Sequence, residues 1–448
     1  MNFIIPGLAC NPVQTSNAWR ALHAIACLCL IPAIFTASLA IAQESKPGSI
    51  LLHAARVFDG NTILTNTSIL VINGKIAQIG PRESFQSTNA KVVDLGDATI
   101  LPGFIELHAH LAYQNIPADA VLKHGITTIR DVGGPVHKPY GGDGSLRVLT
   151  SGPIITAPNG YPIPMLGKTN IAIAVSTEKE ARETVRDLIN GGAVVIKVAL
   201  EPGGEAGAPW SSAHGHGSGH DHGSDHSHHD QPGAKDAHIH HKPTDDASRL
   251  KQTWPLLPEN IVKAIVDEAH KNNRKVTAHI AEARGAQIAI NAGIDEWAHV
   301  PCDIIPESLL KRAVAQNVKI VTTLDTLSKC SGVAHNAGVW AALGGEFLYG
   351  AEIAHPDIPM GIDAQELIYM RQLAKMGLID VLRAATSKAG QHLNLPLLGT
   401  LQRGAPADMI AVRGDPTHNL KILEYPDLVI SGGKVVVNNF LNQLPVSP

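Results

Sequence analysis

The stretch IELHAHL, Ile105–Leu111, sets two histidines two positions apart at the end of an apolar run. Side chains alternate along an extended strand, so His108 and His110 project from one side, roughly 6–7 Å apart along the chain. Two neutral imidazoles so placed form half of a zinc site; two core histidines would share the pattern. Lys197 lies in AVVIKVAL, where every neighbour is apolar. A strand of that texture is buried on both faces, and an unpaired lysine there is rare. Burial lowers its pKa and supplies neutral amine. Such an amine can add carbon dioxide to become a carbamate, whose two oxygens are able to bridge two cations. A hidden carboxylate partner is the other way to house it. His279 in KVTAHI and His299 in DEWAHV close two further apolar runs; each alone also fits a core histidine with satisfied hydrogen bonds.

These residues need elements that hold them. The middle of the chain alternates strand-like runs (GFIELHAHL, TTIRDV, RVLTSGPII, VVIKVAL, KVTAHIA, EWAHV, KIVTTLD, EFLYGAE) with helical stretches such as STEKEARETVRDLINGG and PENIVKAIVDEAHKNN. In the latter Ile261, Val262, Ile265, Val266 and Ala269 recur at helical spacing, and Pro258 opens the helix. Eight strands alternating with helices predict an α/β fold, a (β/α)8 barrel over residues 99–399, with chemistry at the C-terminal ends of the strands. Residues 43–98 and 400–448 have a different texture. Short β-branched runs punctuated by Asp-Gly, Asn-Gly and Gly-Gly predict a small β-sandwich built from both ends of the mature chain.

The most conspicuous histidines stand elsewhere. SSAHGHGSGHDHGSDHSHHD, Ser211–Asp230, holds seven of the chain's 23. The surrounding segment, 203–248, has no apolar periodicity and no means to form a core. Ligands of a reaction centre must be fixed to about half an ångström, so this low-complexity insertion is not that centre. It is expected to bind extra zinc, copper or nickel loosely. It either gathers metal for the site or is a tolerated insertion.

Bulk composition excludes some classes. A formal charge of −4 over 448 residues gives no electrostatic footprint for nucleic acid. The first 42 residues carry an apolar run ending in Ala40-Ile41-Ala42, a small-x-small cleavage pattern. This predicts a signal peptide, a secreted or periplasmic protein, and no stable membrane insertion after cleavage. Cys10, Cys27 and Cys29 leave with that leader, so Cys302 and Cys330 remain; the sequence leaves open whether they pair, as it leaves open the oligomeric state.

The order H-x-H, Lys, His, His resembles the amidohydrolase superfamily. ILPGFIELHAHL, HGITTIRDVGG and LGTLQRGAPADMIAV are similar to that family too. Within it, the set is similar to the binuclear branch that includes Xaa-Pro dipeptidases and metallo-carboxypeptidases. The resemblance implies that His108 and His110 hold a first divalent ion and that His279 and His299 hold a second. A carboxylated Lys197 bridges them, and zinc is the expected metal. It further implies an amide (C–N) hydrolase that works by a metal-bridging hydroxide on a small substrate, a dipeptide or N-acyl amino acid. The family ends its last strand on an aspartate that is ligand and general base. This chain departs there, with Glu352 directly after FLYG; Asp363, eleven residues on, is the second candidate. Tyr161 and Tyr113 are candidate substrate contacts. A cyclic-amide hydrolase or deaminase of the same superfamily is the alternative chemistry, although deaminases do without the lysine. A non-catalytic periplasmic metal-binding protein is the alternative of another class.

Overall fold

The computed structural model describes residues 48–85, 89–112, 114–166, 170–203, 253–355 and 357–440. The leader, Tyr113 and the histidine-rich insertion beyond Gly203 lie outside the described residues.

All eight apolar runs of the middle form strands, and each pairs in parallel with its neighbours. One sheet holds β1 (Phe104–Ala109), β2 (Ile126–Asp131) and β3 (Arg147–Thr150) in that order. The second contains β4 (Ile154–Thr156), β5 (Ala172–Ala174), β6 (Val195–Leu200), β7 (Lys275–Ile280), β8 (Glu296–Trp297), β9 (Lys319–Val321) and β10 (Glu346–Leu348). Its spatial order is β5-β4-β6-β7-β8-β9-β10. RVLTSGPII reads as one strand but makes two. Gly152 takes φ +70° and Pro153 lacks an N–H, so the ladder ends at Thr150 and restarts at Ile154. Past β10, Ile353 bridges in parallel to Ala109 and accepts the His110 N–H at 3.0 Å, tying the end of this series to its beginning.

The helices follow their sequence signals. Glu178–Gly191 starts in a capping box, Thr177 with Glu180, and stops at Gly192 in the left-handed region. Glu259–Lys271 follows Pro258 and buries Ile261, Val262, Ile265, Val266 and Ala269, the stripe that the spacing predicts. Full burial of such side chains stabilises by about 1.5–3 kcal/mol each. They join one continuous core with the parallel strands.

The two ends of the chain meet in a single eight-stranded sheet. Ile50–Phe58, Ile63–Ile72, Lys75–Pro81, Lys91–Asp94 and Ala98–Pro102 come from one end; Met409–Arg413, Leu428–Ser431 and Lys434–Asn438 come from the other. Met409–Arg413 pairs antiparallel with Ala98–Pro102 and closes the join. Asn73-Gly74, with φ 50° and 75°, makes the tight hairpin that an Asn-Gly signal predicts. These eight strands are hydrogen-bonded into one continuous sheet with its own core. Cys302 and Cys330 form a disulfide with Cα atoms 5.0 Å apart, a pairing the sequence could not decide. Among the described residues no helix is long and apolar enough to cross a membrane.

Candidate active site

Strand geometry brings the predicted residues together. His108 sits in β1 and His110 just past it, on one face. Lys197 is the third residue of β6, in register with Thr277, while His279 stands opposite Ala199. Lys197 therefore lies mid-strand, deeper than the strand-end position the sequence predicts, and its long side chain must reach up to the histidines. His299 follows β8, where Ala298 N–H bonds Ala278. His108, His110, Lys197, His279 and Glu352 all line one cleft of about 240 Å³, and all five are buried. His299 packs behind them: its ring centroid is 4.4 Å from His108 and 4.6 Å from His279.

The donor set fits a divalent ion. Ligand atoms of His108, His110 and Glu352 all lie within 4.8 Å of one another. His108 Nε2 and His110 Nε2 are 3.3 Å apart. Two nitrogens bound tetrahedrally at about 2.0–2.1 Å to one zinc would be separated by about 3.3 Å. His108 Nδ1 meets the Ala298 carbonyl at 2.8 Å, which fixes the ring and turns Nε2 inward. His299 Nδ1 is held at 2.9 Å by the Thr323 hydroxyl. Burial first, and then the neighbouring Lys197 charge, hold His108 and His110 well below the ordinary histidine range. Burial likewise takes His279 down to about 3. All three rings are therefore neutral, the ligating form.

Lys197 Nζ is buried without a hydrogen-bond partner among the described residues. Burial lowers its pKa to about 7 against the opposing pull of Glu352 and Glu296. The bare amine is thus available near neutrality, as the sequence reading requires, and no carboxylate has claimed it.

Glu352, the first carboxylate candidate from the sequence, does line the cleft. Its Oε1 lies 3.8 Å from His110 Nε2 and its Oε2 3.8 Å from His299 Nδ1, so its two oxygens face the two halves of the ligand set. The backbone there is strained: Glu352 has φ 62° and Ala354 φ 96°. Such conformations cost roughly 1–3 kcal/mol each and persist where the surroundings enforce them. Gly350 is part of that enforcement. A Cβ on it would lie 2.3 Å from Val321 and 3.1 Å from both Glu106 and His108. Asp363, the second candidate, is elsewhere: its carboxylate caps the helix Ala364–Gln372 by accepting the Gln365 N–H at 2.8 Å. It is absent from the cleft wall. Tyr161 does line the cleft, stacked 4.7 Å over His279.

Two contributors escaped the sequence reading. Glu106, fully buried, accepts the His108 N–H at 2.7 Å and the Ala351 N–H at 2.9 Å, linking the first ligand strand to the Glu352 segment. Burial raises its pKa to about 8. An acid two residues before H-x-H, on the same strand face, was the available signal. His355 also lines the cleft; in the sequence it is one histidine in a loop, with nothing to set it apart.

Fold and site together define a metal-binding α/β protein, and residues 99–436 match the amidohydrolase family model. The chain belongs to the amidohydrolase family. Its sequence is 28% identical to ochratoxinase of Aspergillus niger over 207 residues, 40% of this chain and 41% of that protein. The chain thus aligns with well under half the length of that relative. The crystal structure of A. niger ochratoxinase superposes with TM-score 0.66 at 19% identity, covering 88% of this chain and 97% of the other. A Xaa-Pro dipeptidase with bound methionine in its active site gives TM-score 0.65 at 20% identity, over 86% and 99%. A putative prolidase from Bifidobacterium longum gives 0.67 at 22%, over 90% and 96%.

Proposed function

We propose that this protein is an exported metal-dependent hydrolase that cleaves an amide C–N bond, in the class of dipeptides and N-acyl amino acids. One observation carries the reading: three ligand atoms converge within 4.8 Å in a cleft that also holds a buried, unpartnered lysine. Family membership and the names of the relatives support the reaction type. In this reading the parallel strands close as a (β/α)8 barrel and the sheet built from the chain ends curls into a small sandwich. The leader directs export, and the Cys302–Cys330 disulfide suits an oxidising compartment.

His108 and His110 would hold one divalent ion, His279 and His299 a second, with zinc the expected metal. Bound there, the pair would acidify a water and polarise the scissile carbonyl. Lys197 would serve as a bridge after its Nζ lone pair bonds the carbon of carbon dioxide and a proton leaves to solvent. Glu352, with an oxygen toward each half, would take the proton of the attacking water and pass it to the leaving nitrogen. Glu106 would hold the two ligand segments in register through their backbone N–H groups. The histidine-rich insertion would raise local metal concentration.

The test is hydrolysis by zinc-loaded protein of Xaa-Pro dipeptides, N-acyl amino acids and cyclic amides. Turnover of a linear amide, abolished by chelation and by His108→Ala and restored by zinc, is expected. Turnover confined to cyclic amides would displace the reading toward the sister chemistry. No metal-dependent turnover at all would leave a metal-binding protein.

A further inference from the structure

The cleft has two unlike walls. Facing the ligand histidines are Ile154, Tyr161, Pro162, Met165 and Leu166. Tyr161 is the middle of an aromatic stack: its ring lies 4.7 Å from His279 with planes 29° apart and 5.5 Å from Trp254 with planes 26° apart. These contacts fix Tyr161, which lines the cleft beside His279 together with Met165 and Leu166. Next to it, the short helix Ile163–Leu166 leaves Met165 44% and Leu166 39% exposed. Large apolar side chains held open to water at the edge of a cleft are the mark of a ligand groove. Methionine beside aromatic rings adapts to irregular apolar ligands.

Charge points the same way. Among the described residues no arginine lines the cleft, and its one lysine is Lys197, which the proposed function assigns to the ligand set. Among the described residues, a substrate carboxylate meets no guanidinium of the kind that grips that group bidentately. Size sets a limit as well: a cavity of roughly 150 Å³ accepts benzene, and this cleft is about 240 Å³.

We infer that Tyr161, Met165 and Leu166, the first braced by Trp254, form a specificity subsite for an aromatic or bulky apolar group next to the scissile amide. The preferred substrates are N-acyl compounds recognised through that group rather than through a charged terminus. This rests on the amide-hydrolase reading above and narrows it.

The experiment compares kcat/KM of the zinc-loaded full chain on N-acetyl-phenylalanine amide, N-phenylacetyl-alanine amide and N-acetyl-alanine amide, and on the free-acid form of each. At least one ring-bearing amide should exceed N-acetyl-alanine amide by about tenfold to a hundredfold, the discrimination expected from burying a phenyl-sized group. The free acids should gain nothing over the neutral forms. Met165→Glu, a change at an exposed position that the fold tolerates, should cut the ring-to-methyl ratio at least fivefold, and Tyr161→Ala more. A ratio near one, or a clear preference for the free acids, overturns the subsite while leaving amide hydrolysis standing. If none of the compounds is turned over, the proposed reaction fails separately. Ligand-observed NMR then reads the subsite alone: tenfold tighter binding of a ring-bearing amide than of N-acetyl-alanine amide sustains it, and equal binding overturns it.

Discussion

Single side chains set the chemistry, and Glu352 is the carboxylate on which the proposed proton transfer depends. The longer carboxylate already stands 3.8 Å from His110 and from His299. Shortening it by one methylene withdraws both oxygens by more than an ångström, and a misplacement of ~1 Å can cost about 100-fold. Glu352→Asp should therefore lower kcat ten- to a hundredfold in steady-state assays; a gain would mean that the glutamate is a defect in an aspartate's place. Lys197 gives a prediction in pH. Its folded pKa, near 7, lies far below the ordinary lysine value. Neutral amine therefore dominates above pH 7 and is lost as pH falls below it. Activation of metal-loaded protein by added bicarbonate should rise through pH 7, and Lys197→Ala should lose at least 100-fold in kcat with partial rescue by acetate. Bicarbonate response that does not change with pH would remove the carbamate from the account. Of this site, the H-x-H pair and the lysine in an apolar run were legible because their residue types contradict their surroundings. Glu106, an acid on the same strand face, was a fainter signal: the sequence marks the residue but not that its carboxylate turns back to the His108 and Ala351 N–H groups.

At the scale of elements, the loops that follow the strands hold the site. The Cys302–Cys330 disulfide clamps the segment three residues past His299 to the turn before helix Val333–Ala342. Closing a loop whose ends are 28 positions apart contributes about 3–4 kcal/mol in the chain-entropy treatment. The double variant Cys302→Ser with Cys330→Ser should melt several degrees lower by calorimetry; an unchanged melting temperature would show that the clamp adds nothing. Helix Ala364–Gln372 makes a separate prediction. Glu366 on it is fully buried, and burial first, then Asp363, raises its pKa from 4.5 to about 8. An acid held neutral in the fold but free to ionise when unfolded binds more protons in the native state between those values. Stability from this group is full below about pH 4.5 and declines as pH rises to 8. Glu366→Gln should flatten the fall in melting temperature between pH 5 and pH 8, and an unaltered slope would refute this. All eight strand runs were legible from apolar texture, but not the break at Ser151–Pro153. There the apolar pattern runs on while one glycine φ and one missing N–H stop the ladder.

For the whole molecule, the sequence anticipated strands alternating with helices, though not the short strand β5 (Ala172–Ala174), and both ends of the chain come together in one sheet. The loudest signal in the sequence, the histidine run, lies outside the described residues, and the proposed ligand set does not draw on it. Two metal binders thus compete for the account: a fixed constellation on parallel strands, and a tract of low-complexity histidines. Metal content by plasma mass spectrometry, on full-length protein and on a chain lacking residues 204–248, separates them. Two divalent ions per chain, retained through gel filtration after the deletion and lost in the His108→Ala, His110→Ala variant, are predicted. A deleted chain that keeps no metal would contradict the convergence of His108, His110, Lys197, His279, His299 and Glu352 on which the function rests.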